Sequence, residues 1–72
     1  MSKRKRIKLI HEGHYMAEVD VELVEDESGW SPYLSTADAM KLDDVREALR
    51  RGDLAAASSV ARVFELRPVA AR

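Results

Sequence analysis

Residues 15–24 alternate: Tyr15, Ala17, Val19, Val21 and Leu23 fall on one side, and Met16, Glu18, Asp20 and Glu22 on the other. A period of two with β-branched residues predicts a half-buried strand. Upstream, Ile7 and Leu9 alternate with Arg6 and Lys8, and Glu12-Gly13 supplies a turn between the two runs. The chain therefore opens with a β-hairpin. A three-residue loop, Glu12-Gly13-His14, places Leu9 opposite Ala17 and Ile7 opposite Val19 on the buried side. The same register sets Lys8, Arg6 and Arg4 opposite Glu18, Asp20 and Glu22. Each such pair contributes a few tenths of a kcal/mol, up to ~1. A slip of one residue loses all three, so charge favours the longer loop. Three-residue loops prefer glycine in their last position, where His14 stands.

Beyond a polar turn at 25–29, Trp30-Ser31-Pro32-Tyr33-Leu34 reads as a third strand. Pro32 cannot donate to a ladder, which makes the strand an edge or irregular one. Trp30 and Leu34 are expected to face the core and Tyr33 to face outward. Ser35 with Asp38 has the form of a capping box shortened by one methylene. After it, Leu42, Val45 and Leu49 recur at helical spacing, and Gly52 closes the segment behind a basic last turn. Asp44 to Glu47 resembles a second box, so 36–51 reads equally as one helix or as two with a kink. Asp53 can cap a short helix over 54–59. Residues 62–69 return to alternation as a fourth strand, ended by Pro68.

The expected fold is α+β: an antiparallel sheet opened by a hairpin, with one or two helices packed on one face, in the order β-β-β-α-α-β. It forms a single domain over 1–72, with 1–3 and 70–72 as loose ends.

Composition sharpens this picture. A chain of 72 residues buries a small fraction of its surface. Scaffolds of this size usually need a disulfide, a metal or a partner. With no cysteine, a partner chain, identical or different, is the expected staple. Hydrophobic content of 46% with 35% charged residues suits a folded, soluble chain, and a net charge of −1 gives no global attraction to nucleic acid. No apolar run approaches the ~20 residues of a membrane span, and Ile7, Leu9 and Ile10 are too few for a signal peptide. A cytoplasmic location is expected.

Candidate chemistry is sparse. His11-Glu12-Gly13-His14 has one residue between Glu and the second His, where the zincin helix needs two. It reads as a pair of exposed turn histidines. No hydroxyl sits in a nucleophile elbow, and each of the three glycines serves a turn or a cap. We expect no catalytic residue, no metal site, no cofactor and no enzyme. Two surfaces remain. Trp30, Pro32 and Tyr33 form an aromatic patch suited to a protein partner. Lys3, Arg4, Lys5, Arg6 and Lys8 offer the alternative, a nucleic-acid-binding strand. In the charge-paired register their field is largely cancelled.

Ala17-Glu18-Val19, Gly29-Trp30-Ser31-Pro32-Tyr33-Leu34-Ser35, Asp38-Ala39, Lys41-Leu42-Asp43, Arg46 to Asp53 and Ala61-Arg62-Val63 give the stretch from Tyr15 to Phe64 its resemblance to short bacterial proteins of antitoxin-like type. The layout of sheet then helix is similar to the HicB-type antitoxin sheet domain, without that family's glycine and proline pattern. The resemblance implies a protein-interaction module that neutralises a partner toxin. It carries no functional residue over.

Overall fold

In the computed structural model, residues 2–25 and 33–70 are described. The order is β1 (Ser2–Glu12), β2 (Tyr15–Glu25), β3 (Tyr33–Leu34), α1 (Thr36–Arg51), α2 (Leu54–Ser58) and β4 (Arg62–Glu65). This is the expected α+β arrangement. All four strands join one antiparallel sheet with β2 at its centre. β1 lies along one side of β2 over its whole length. On the other side β4 pairs with Tyr15 to Glu18 and β3 with Leu23 and Val24. Between those two, the edge of β2 has no strand partner among the described residues.

The register of the hairpin differs from the expected one. Glu12 pairs with Tyr15, so the loop is Gly13-His14 and the ladder is shifted by one residue. Gly13 has φ 59°, and no residue other than glycine has positive φ among the described residues. A glycine of positive φ in the first of two turn positions follows the type II′ pattern, whose twist matches that of the flanking strands. A three-residue loop would have asked His14 for that conformation instead. Arg4, Arg6 and Lys8 consequently lie opposite Leu23, Val21 and Val19, and the three expected charge pairs do not form. Ile10, opposite Ala17, is the β1 residue that enters the core, while Ile7 and Leu9 stay 55% and 62% exposed.

Helix α1 explains why that register is tolerated. Ser35 Oγ accepts the Asp38 amide at 3.1 Å and starts the helix. The Asp38 carboxylate, too short to complete a box, instead accepts the Glu22 amide at 2.7 Å, in the gap between β4 and β3. At the other end Arg50 and Arg46 reach Glu12, at 3.1 and 3.9 Å. The helix thus crosses the sheet from the far edge of β2 to the tip of β1. It covers Ile10 and leaves the Arg4 to Lys8 stretch uncovered. Arg4, Arg6 and Lys8 are exposed there.

Helix α1 is continuous through Leu42, with no glycine or proline to break it. Gly52, at φ 73°, donates to the carbonyls of Ala48 and Leu49 and ends it. Asp53 then caps α2 through the Ala56 amide at 3.1 Å. β4 is shorter than the alternation over 62–69 suggests, because its partner ends: Glu65 pairs with Tyr15, and the last bond runs from the Leu66 amide to the His14 carbonyl at 2.6 Å. Leu34 packs against the core and Tyr33 is 53% exposed, as expected of both. Trp30 and Pro32 lie outside the described residues.

The core itself is small: Ile10, Ala17, Val19, Val21, Val45, Ala48, Leu49 and Ala57. Its largest fully buried side chains are valines. Both helices pack on the same face of the sheet.

Candidate interaction surface

Alternation along β1 and β2 fixes what the second, uncovered sheet face carries. Lys3, Lys5, Ile7, Leu9 and His11 project there from β1, beside Met16, Glu18, Asp20, Glu22 and Val24 of β2. Arg62 and Phe64 of β4 complete the rows of Glu18 and Met16, and Tyr33 of β3 completes the row of Val24. The face therefore mixes exposed apolar groups (Ile7, Leu9, Phe64 and Tyr33) with charge.

Its acids are divided unequally. Arg62 binds Glu18 at 3.1 Å and closes a fork on Asp20 at 3.0 and 3.2 Å. The hydrogen bond from Arg62 holds the Asp20 carboxyl below its ordinary value; desolvation opposes it, and the charges of Arg62, Lys41 and Lys5 add to it. The same two acids hold the Arg62 guanidinium more firmly protonated. The carboxylates expected to neutralise Lys8 and Arg6 thus lie on the opposite face from those cations and are bonded to the last strand.

Of the five basic residues, Arg4 pairs with Glu25 at 2.9 Å. Lys3, Lys5, Arg6 and Lys8 pair with no carboxylate among the described residues. The sequence pointed to these cations, but not to their freedom. It also missed Ile7 and Leu9 as surface. The available signal was Gly13 at the first turn position, which selects the two-residue loop.

An open groove of about 640 Å³ lies between the start of α1 and the sheet, lined by Asp38 and Lys41 of the helix and by Lys5, Arg6, Ile7, Asp20, Val21 and Glu22 of β1 and β2. Its charges alternate in sign, so it offers no single-sign field to a small anion or cation. The histidines are not brought together as a ligand set. His11 Nε2 is 2.9 Å from the Gly13 carbonyl oxygen, a bond local to the turn. Among the described residues no group of three or more His, Asp or Glu side chains is placed to hold a metal ion. Among them too, no helix is long and apolar enough to cross a membrane.

The fold and surface define a small α+β domain with an open-faced sheet and a free, basic edge strand. Comparisons with protein-family models, curated proteins and solved structures return no match.

Proposed function

We propose that this chain is a small cytoplasmic protein-interaction module of antitoxin type, which holds a partner protein on its open sheet face and the adjoining strand β1. One observation carries the reading: Ile7 and Leu9 stand exposed, side by side on an edge strand, beside Lys5, Arg6 and Lys8, which pair with no carboxylate among the described residues. Burying two such side chains is worth about 1.5–3 kcal/mol each. A core of eight residues, six of them valine or alanine, leaves a chain of this size in need of that contribution. Tyr33 shares the face and joins the contact, with Trp30 and Pro32 beside it in sequence. The reading assigns no catalytic step and no cofactor.

The test is co-purification of the full tagged chain from its native host, beside an Ile7→Glu/Leu9→Glu variant. A stoichiometric partner kept by the first and lost by the second is expected. A chain that returns alone, or a partner kept equally by both, overturns the reading. The free cations favour a second reading, a nucleic-acid-binding regulator using Lys3, Lys5, Arg6 and Lys8, with Arg4 held by Glu25. Its mark is binding to DNA or RNA that weakens steeply as salt rises.

A further inference from the structure

We propose that the outer edge of β1 receives an extended acidic segment of the partner protein as a fifth strand. This rests on the protein-interaction reading above and names the partner's chemistry.

The direction of the backbone groups follows from two hydrogen bonds. The Glu22 amide donates to Asp38, and the His14 carbonyl accepts from Leu66; both partners lie on the side of β2 away from β1. In an antiparallel strand these directions alternate residue by residue. Even-numbered residues of β2 therefore face away from β1 and odd-numbered ones face it. Their β1 partners are the even-numbered residues, since Ile10 pairs with Ala17 and Lys8 with Val19. The odd-numbered residues of β1 are left: Lys3, Lys5, Ile7, Leu9 and His11 aim their amides and carbonyls at the open edge. Among the described residues no strand takes them. They span about 27 Å at the usual rise of a strand, long enough for a full-length partner strand.

Charge selects the occupant. An antiparallel second copy centred on Ile7 would set Arg6 against Lys8, and lysine on an edge is a common guard against such self-pairing. A partner strand carrying acids opposite Lys3, Lys5, Arg6 and Lys8 gives each a carboxylate partner, which none of the four has among the described residues. Apolar residues opposite Ile7 and Leu9 cover the exposed pair. Main-chain bonds then give affinity and the side chains give selection. A nucleic acid would satisfy the cations and leave Ile7, Leu9 and the free amides unused.

The probe is a synthetic peptide, Thr-Thr-Val-Glu-Val-Glu-Glu-Thr-Glu, added to the full chain while amide hydrogen exchange is followed by NMR. The expected result is new protection of the Lys5, Ile7 and Leu9 amides, at least tenfold, while the even-numbered amides, already bonded, change little. Ile7→Pro removes only an edge amide, so that variant keeps the folded-state methyl spectrum and loses peptide binding at least tenfold. A peptide with lysine in place of glutamate gives no protection. Absence of peptide-induced protection overturns the proposal, as does equal binding of the lysine peptide. Protection of these amides that grows with protein concentration alone overturns it in favour of a second copy. Tighter binding of a single-stranded oligonucleotide without amide protection overturns it in favour of nucleic acid. A host partner that the Ile7→Glu/Leu9→Glu variant loses, with no edge protection from the peptide, overturns strand addition and leaves the interaction reading standing.

Discussion

Arg62 and Asp20 stand 42 residues apart in sequence and meet in a two-pronged ion pair, at 3.0 and 3.2 Å. The fork ties the last strand to the central one across the open face, beyond the end of their ladder. It also engages the two acids that stand opposite Ile7 and Leu9 on that face, Asp20 and Glu18.

The Asp20 carboxyl should titrate below the ordinary aspartate range, and Arg62→Ala should bring it back up. Side-chain carbon shifts followed by NMR against pH read this directly. The sign of the stability effect follows from the depressed folded value. The contribution is present above the unfolded-state value and is lost as pH falls through the folded one. Arg62→Ala should remove that segment of the acid dependence. Both partners are exposed, so the effect is small.

Ile10→Ala should destabilise the chain by about 2–5 kcal/mol, whereas Leu9→Ala should stay within about 0.5 kcal/mol. Ile10 is 4% exposed and Leu9 62%. Urea denaturation of the two variants separates the observed register from the charge-paired one, in which Leu9 would be the costly position.

Asp38→Ala should speed exchange of the Glu22 amide and cost about 1 kcal/mol, the net worth of a typical hydrogen bond. Ser35→Ala should cost a similar amount through a lost helix cap, but should expose the first amides of α1 instead. Amide exchange distinguishes the two, since Asp38 bonds the sheet and Ser35 bonds the helix.

Gly13→Ala should destabilise the chain by about 1–2 kcal/mol, because a side chain at φ 59° meets its own backbone. No neighbouring atom lies within 4 Å of the added carbon, so strain and not crowding is the cause. Thermal unfolding of the variant measures it.

These outcomes also mark what could be read along the chain. Helix α1, its start at Ser35, its end at Gly52 and the cap at Asp53 depend on residues within four positions of one another, and local chemistry sufficed. So did the strand character of β1 and β2. The hairpin register did not yield to the same reasoning. Three charge pairs worth a few tenths each argued for one register, while the φ of Gly13 and the diagonal path of α1 favoured the other. The rival for the acids, Arg62, arrives from more than 40 residues away, where no local pattern announces it. For the same reason part of the candidate surface was hidden: its cations were visible in the sequence, and its exposed Ile7 and Leu9 were not.

The tip of a hairpin is ordinarily where a protein absorbs an extra residue without consequence. Here the turn at Gly13 and His14 acts as a selector between two surfaces written into one strand. Drawing Glu12 into the loop, so that His11 and Tyr15 close it, would slip the ladder by one residue, sending Ile7 and Leu9 inward and bringing Ile10 out. One sequence thus holds two possible outer faces for the strand, and the backbone preference of a single glycine decides which of them is shown.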